Sequence, residues 1–182
     1  MSIQKKSLLI LFFIIIFDQF LKIWIKTHMI LGQEYRILGN WFFIHFTENE
    51  GMAFGMQLAG EYGKIILSIF RIIAVIAIGW YLTHLIKNRA PNGLILCISM
   101  ILAGAIGNII DSVFYGMIFS KSSFQVASFL PEGGGYSSFL HGKVVDMFYF
   151  LLLKVIYPIG SLFGVPGVLS FFAPCSILLI RQ

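Results

Sequence analysis

Three long apolar runs constrain the fold of this chain more than any other feature of its sequence. They cover about residues 7–25, 65–86 and 94–118. An apolar helix of about 20 residues crosses the hydrocarbon core of a bilayer, so each run is long enough to span a membrane. The sequence therefore predicts an all-α integral membrane protein, a helical bundle with three spans in a single membrane-embedded domain over residues 1–182.

The composition and the distribution of charge support a membrane protein. Of the 182 residues, 58% are hydrophobic and 12% are charged, whereas about 25% of the residues of a soluble domain are charged. The net charge of +5 does not indicate nucleic-acid binding, because the basic residues flank apolar runs instead of forming an aromatic and basic stripe. These flanking residues are Lys5, Lys6, Lys87 and Arg89. They place the N-terminus and the loop after the second span in the cytoplasm, and residues 26–63 and the chain after 118 outside.

The segments between and after the spans carry weaker signals. Residues 34–46 are rich in aromatic and branched side chains and predict a small extracytoplasmic β element. Residues 144–182 are apolar but interrupted by three prolines, so we expect an incomplete, extracytoplasmic C-terminal part rather than a fourth span. The cysteines, Cys97 and Cys175, have no metal-ligand spacing and predict packing roles.

Four ionisable residues lie in or beside apolar segments. A carboxylate within a span costs about 2.5 kcal/mol or more, so it requires a partner or a function. At about 1.5 Å per residue, Asp18 and Asp111 reach the outer half of the membrane, and Arg71 enters it from outside. Asp146 follows at the start of the last apolar segment. Arg71 paired with Asp18 or Asp111 would only hold the bundle together, but four such residues at one depth favour a site.

The third span also carries a pattern of small and polar residues. Gly104, Asn108 and Asp111 share one helix face. Small residues allow another helix to approach closely, and Asn108 can hydrogen-bond across that contact. A packing seam alone explains the glycines, including Gly107, but it does not explain the carboxylate.

Four sequence blocks follow one another along residues 18–146. They read DQFLK at 18–22, NEGMAFG at 49–55, GAIGNIID at 104–111 and VVD at 144–146. Together they resemble the lipoprotein signal peptidase family, also called signal peptidase II. The resemblance implies a membrane-embedded aspartic protease that cleaves lipoprotein precursors before a diacylglyceryl-modified cysteine, using two aspartates and neither a metal nor another cofactor.

The resemblance also implies roles for individual residues. Asp146 would be one catalytic aspartate, and Asp111 is a further candidate for its partner. The residues that bind substrate or organise the site would be Asp18, Lys22, Asn49, Gly51, Ala53, Phe54, Gly104, Gly107, Asn108 and Asp111. The partners would be lipid-modified precursors and membrane lipid. The location would be the bacterial cytoplasmic, or inner, membrane, with the active site at its outer face.

The C-terminus departs from the family pattern. The family's second catalytic aspartate lies in a block F-N-x-A-D-S that opens a fourth helix, whereas residues 174–182 read PCSILLIRQ and no Asp follows Asp146. One permitted choice of codons for residues 175–182, read one base back, encodes the expected block. The sequence therefore predicts a single-base shift near codon 175, and we expect the chain as written to be impaired.

Two other functions fit parts of this pattern. A small transporter or channel would line a polar path with Asp18, Arg71 and Asp111, and it would not need Asp146. A non-catalytic scaffold or pseudoenzyme would still bind lipoprotein precursors, and the missing aspartate favours it. Ion or solute flux in liposomes would distinguish the transporter from both peptidase-like alternatives.

Overall fold

Three long apolar helices dominate the structure, a computed structural model that describes residues 2–39, 41–49 and 60–150. The helices are α1 (Ile3–His28), α2 (Gly60–Lys87) and α3 (Asn92–Ile110). Their candidate spans are Ile3–His28, Ile65–Lys87 and Asn92–Ile118, of 26, 23 and 27 residues. Each is long and apolar enough to cross a bilayer, and within a bilayer a helix pairs nearly all of its backbone groups internally.

The outward faces of these helices are apolar. Phe12 on α1 is 61% exposed, and Phe70 and Trp80 on α2 are 66% and 69% exposed. A water-soluble protein rarely leaves so many large apolar side chains uncovered. Together with the helix lengths, this surface confirms the prediction of an α-helical, multi-pass membrane protein.

Helix α3 changes its winding at the end of the third span. A π-helical turn covers Asp111–Tyr115, and a last α-helical turn covers Gly116–Ile118. Such turns often occur at functional sites because they shift side chains around the helix. The carbonyl oxygen of Ser112 accepts a hydrogen bond from the backbone N of Gly142 at 2.9 Å, which attaches the segment before the last strand to this turn.

A three-stranded antiparallel sheet packs beside the C-terminal ends of α1 and α3. Its strands are β1 (Glu34–Leu38), β2 (Phe42–Asn49) and β3 (Val144–Phe150), in that order. The first two confirm the small β element predicted over residues 34–46. The third was not predicted, because residues 144–182 were expected to form an incomplete C-terminal part. Residues 151–182, including the expected frameshift near codon 175, lie outside the described residues.

Strand β2 contains a bulge that interrupts its pairing with β3, and at the bulge it pairs instead with residues that precede β1. The register with β3 shifts between Ile44 and Thr47. Within this bulge the backbone N of Phe46 donates to the carbonyl of Gln33 at 3.0 Å, and the carbonyl of Phe46 accepts from Gly32 N at 2.8 Å. Pairing with β3 resumes at Thr47, so the bulge fixes which residues at the end of β2 lie opposite the start of β3.

Two apolar clusters hold these elements together. The outer core joins α1, the sheet and the end of the third span, and it consists of Ile25, Met29, Phe46, Tyr115, Phe119, Val145 and Met147. The inner core joins α2 to α3 and consists of Leu82, Leu85, Ile95 and Leu102. The ionisable residues selected from the sequence lie next to the outer core.

Candidate active site

A buried lysine connects two carboxylates between α1 and α3. The Nζ atom of Lys22 lies 3.0 Å from Oδ2 of Asp18 and 2.8 Å from Oδ2 of Asp111. It also donates to Oδ1 of Asn108 at 2.9 Å. Lys22 is one helical turn after Asp18, and Asn108 is one turn before Asp111, so each helix presents both of its polar residues to the other. We call these four residues the charge cluster.

The carboxylate of Asp111 is fully buried and accepts hydrogen bonds from two elements, α1 and β3. Besides Lys22, it accepts from Nε2 of Gln19 at 3.0 Å and from the backbone N of Val145 at 3.2 Å. The last bond fixes the start of β3, one residue before Asp146. Burying an ion is costly unless it is paired and hydrogen-bonded, and Asp111 meets both conditions.

Gln19 extends the charge cluster and was not selected from the sequence. Its Nε2 also lies 3.2 Å from Oδ2 of Asp18 and 3.3 Å from the carbonyl of Gly107, and its Oε1 accepts from the hydroxyl of Tyr115 at 3.2 Å. The sequence could have identified Gln19, since an amide side chain within an apolar span also requires a hydrogen-bond partner.

Gly104 and Gly107, both on the third span, have different surroundings. A Cβ atom at Gly107 would collide with the carboxylate of Asp18, so the close approach of α1 depends on the absence of a side chain there. A Cβ atom at Gly104 would meet nothing within 4 Å. Close contact between α1 and α3 therefore accounts for Gly107 but not for Gly104.

Asp146 lies outside the charge cluster, on the face of the sheet that it shares with Thr47 and Asn49. Thr47 is directly opposite Asp146, and Asn49 is opposite Val144. Opposite residues and alternate residues of a strand project to the same face, which places Asn49, Thr47 and Asp146 together. The hydroxyl of Thr47 also donates to the carbonyl of Asp146 at 3.4 Å. Asp146 is half-buried, whereas Asp111 is fully buried.

Arg71 reaches this region from α2. Its Nη1 donates to Oγ of Ser112 at 3.0 Å, and that hydroxyl donates in turn to the carbonyl of Asn108 at 3.0 Å. The guanidinium also interacts electrostatically with Asp146 and, more weakly, with Asp111. Lys22 forms the ion pairs with Asp18 and Asp111 that the sequence analysis had considered for Arg71.

A second buried ion pair supports the end of β2. Lys26 pairs with Glu48, the residue before Asn49, and Oγ of Ser122 hydrogen-bonds to both. The rings of Phe119 and Tyr136 lie 5.4 and 5.1 Å from the ammonium nitrogen. This pair was not predicted from the sequence, because Lys26 resembles an ordinary cation at a helix end.

Two further expectations were that the site uses no metal and that it includes residues of the block NEGMAFG at 49–55. Among residues 2–39, 41–49 and 60–150, no group of three or more His, Cys, Asp or Glu side chains is placed to hold a metal ion. Asp18 and Asp111 instead share the ammonium of Lys22. Gly51, Ala53 and Phe54 lie outside the described residues.

Comparison with known proteins places this geometry in a family. The model of the family described as signal peptidase (SPase) II matches residues 10–165, which include the charge cluster and Asp146. The chain belongs to the signal peptidase II family. A lipoprotein signal peptidase of Porphyromonas gingivalis is 46% identical over 162 residues, which cover 88% of this chain and 70% of that protein. A lipoprotein signal peptidase of Amoebophilus asiaticus is 39% identical over 138 residues, covering 74% and 55% respectively.

Solved structures agree with membership of the signal peptidase II family. A bacterial membrane enzyme solved by the in meso method at 1.9 Å resolution superposes with a TM-score of 0.58 at 26% identity, covering 97% of this chain and 91% of that chain. A second such structure, at 2.3 Å resolution, has a TM-score of 0.55 at 25% identity. The resemblance to signal peptidase II drawn from four short blocks is thus confirmed, and with it a multi-pass membrane protein of a peptidase family.

Proposed function

We propose that this member of the signal peptidase II family is an aspartic endopeptidase that removes signal peptides from diacylglyceryl-modified lipoprotein precursors. Its relatives are named lipoprotein signal peptidases, which supports this class of substrate. We further propose that Asp146 is one of two catalytic carboxylates. The other residues of the four blocks would bind the precursor or organise the site.

The observation that carries the proposal is the hydrogen bond between the Asp111 carboxylate and the backbone N of Val145. It connects the charge cluster, through the fully buried Asp111, directly to the residue before Asp146. The cluster therefore positions the start of β3, while the side chain of Asp146 lies on the opposite face of the strand from Val145. This division supports a positioning role for Asp111 and a catalytic role for Asp146.

The chemistry requires a second carboxyl group. When water attacks an amide carbonyl, one group must accept a proton from the water and another must protonate the leaving amine. Two carboxyls that share one proton supply both functions. The 182 residues contain no Asp after Asp146, so we propose that the chain as written is impaired and that the block F-N-x-A-D-S would complete the pair.

The missing aspartate also favours the second candidate function. A pseudoenzyme would retain the charge cluster and the sheet, bind lipid-modified precursors and fail to cleave them. Binding without cleavage by the 182-residue chain fits either an impaired enzyme or a pseudoenzyme. Recovery of cleavage in a frame-restored chain would distinguish the two.

We propose that the protein lies in the bacterial inner membrane with its active site at the outer face. The basic residues Lys5 and Lys6 at one end of α1, and Lys87 and Arg89 between α2 and α3, support this orientation. Asp146 then lies at the opposite side of the membrane, together with the sheet. Lipoprotein precursors exported across the membrane would reach the site there.

The test of the catalytic assignment is Asp146→Asn in a chain with the F-N-x-A-D-S block restored. A carboxamide cannot act as a general base, so cleavage of a lipid-modified precursor should fall by several orders of magnitude. A gel shift of the precursor in membranes measures it. The exposed Glu132→Gln is the matched control and should cleave normally. Near-normal cleavage by Asp146→Asn would refute the assignment.

A further inference from the structure

The chain forms a short hairpin immediately after the third span. The backbone N of Leu130 donates to the carbonyl of Ile118 at 2.7 Å, and Ser120 N donates to the carbonyl of Ser128 at 3.0 Å. Phe119 and Phe129 form an antiparallel bridge between these two bonds. We call residues 118–130 the span-end hairpin. Since Ile118 is the last residue of the third span, Leu130 lies at the level where that span ends.

The base of the hairpin is fixed within the protein. Phe119 is fully buried in the outer core, against the ring of Tyr115. Ser122 is 5% exposed and hydrogen-bonds to the buried pair of Lys26 and Glu48. These contacts attach the hairpin to α1 and β2 as well as to α3, so its direction is set by the fold.

The rest of the hairpin exposes a cluster of apolar side chains. Phe124, two residues beyond the buried Ser122, is 96% exposed, and the exposed fractions of Val126, Phe129 and Leu130 are 41%, 53% and 64%. The ten residues between Lys121 and Glu132 contain no Asp, Glu, Lys or Arg. Large apolar side chains clustered on an exposed surface are unfavourable in water and mark a surface that is covered by something else.

The backbone at Leu130 adds an independent observation. Leu130 has a φ of 50°, in the left-handed region that residues with a branched side chain rarely adopt. A leucine is therefore disfavoured here both by its backbone conformation and by its exposure to water. Contact with an apolar environment removes the second disadvantage, and it gives a reason for an apolar side chain at this position.

We propose that the span-end hairpin is an interfacial anchor, whose apolar side chains insert into the membrane leaflet where the third span ends. The end of the third span, to which the hairpin is attached, also exposes apolar side chains, with Phe114 and Met117 47% and 38% exposed. The attachment of Leu130 to the last residue of the span, the exposed apolar side chains at that end of the span and the absence of charge between Lys121 and Glu132 favour lipid as the occupant rather than a protein partner.

The anchor is connected to the active-site strand. The backbone N of Tyr136 donates to the carbonyl of Phe119 at 3.0 Å, and the hydroxyl of Tyr136 accepts from the backbone N of Lys143 at 2.6 Å. Lys143 directly precedes β3. The span-end hairpin therefore fixes the depth at which β3, and with it Asp146, lies relative to the lipid surface.

Tryptophan fluorescence in liposomes tests the anchor with the full 182-residue chain. In a background where Trp24, Trp41 and Trp80 are replaced by Phe, the variants Phe124→Trp and Val126→Trp each provide a single reporter. We expect a blue-shifted emission, strong quenching by phospholipids brominated near the headgroup and weak quenching by aqueous iodide. The matched control is Glu132→Trp, an exposed position in the next turn of the same loop, which should show red-shifted emission and strong iodide quenching.

The outcomes separate lipid from the other possible occupants. If both hairpin reporters resemble Glu132→Trp, the hairpin lies in water in the purified protein and the proposal is overturned, as it would be for a surface that binds another protein. If one reporter variant does not fold, the other decides. The experiment needs no peptidase activity, so its result is independent of the function proposed for Asp146.

Discussion

The carboxylates of Asp111 and Asp146 belong to two neighbouring regions that differ in burial. Asp111 is fully buried and accepts hydrogen bonds from a lysine, a glutamine and a backbone amide. Asp146 is half-buried on a sheet face shared with Thr47 and Asn49. A buried carboxylate on the third span whose donors come from α1 and β3 holds these elements together, whereas a carboxylate at a more open face can contact a substrate. Before the family resemblance is considered, the sequence marks both residues in the same way, as carboxylates in or beside apolar segments.

The largest effect on the comparison between Asp111 and Asp146 is expected from restoring the missing second catalytic aspartate. If Asp146 needs a partner other than Asp111, the 182-residue chain should cleave a lipid-modified precursor at close to background, and restoring the frame near codon 175 should raise the rate at least about 10³-fold. Precursor cleavage at equal membrane levels of the two chains measures this effect.

A matched variant distinguishes the effect of the restored carboxylate from the effect of the restored fourth helix. The frame-restored chain with the new aspartate replaced by asparagine regains the fourth helix but lacks the acid. It should remain close to background, because losing one member of a catalytic unit costs about as much as losing the unit. Comparable rates for the 182-residue and restored chains would mean that the frame hypothesis is wrong or that Asp111 serves as the partner.

The sequence predicted the spans, and the common depth of Asp18 and Asp111, because both follow from short-range rules. Apolar length identifies a span, and the helical rise per residue brings these two carboxylates to the outer half of the membrane. The ion pairs that join them could not be predicted in the same way: Arg71 was considered as their partner, whereas the structure places Lys22 between them.

The sequence did not predict strand β3 because its pattern is ambiguous. Val144–Phe150 reads VVDMFYF, a short apolar run without strict alternation, which is compatible with a strand or with the start of a helix. Its pairing with β2 depends on contacts about 100 residues apart in the chain, as between Thr47 and Asp146. The bulge at Phe46, which sets this register, is likewise a long-range feature.

Asp111→Asn tests the structural role of Asp111, and its effect on activity should be smaller than the loss of the second catalytic aspartate. An amide in place of the carboxylate turns an NH₂ group toward some of its present donors and leaves Lys22 with Asp18 as its ionic partner. Breaking a buried ion pair costs about 3–5 kcal/mol, so thermal stability in detergent and yield should fall along with activity. The exposed Glu132→Gln controls for loss of a carboxylate. A fully inactive Asp111→Asn variant as stable as the parent would move Asp111 into the catalytic group.

The smallest expected effect comes from a pair of glycine substitutions in the third span. Gly107→Ala places a Cβ against the carboxylate of Asp18, which Lys22 and Gln19 hold in place. Overpacking costs about 1–3 kcal/mol, and alanine recovers up to about 1 kcal/mol through its better helix propensity. The variant should therefore unfold at a lower temperature than the parent in detergent.

Gly104→Ala makes the same chemical change one helical turn earlier, where the new Cβ meets nothing within 4 Å. It gains the helix propensity without the collision, so its unfolding temperature should equal or slightly exceed that of the parent. Equal destabilisation by both substitutions would contradict the close approach assigned to Gly107. If Gly104→Ala leaves stability unchanged but lowers precursor cleavage in the frame-restored chain, Gly104 must face the substrate. The two glycines would then divide as the two carboxylates do, with Gly107 holding the helices together and Gly104 leaving space for the precursor.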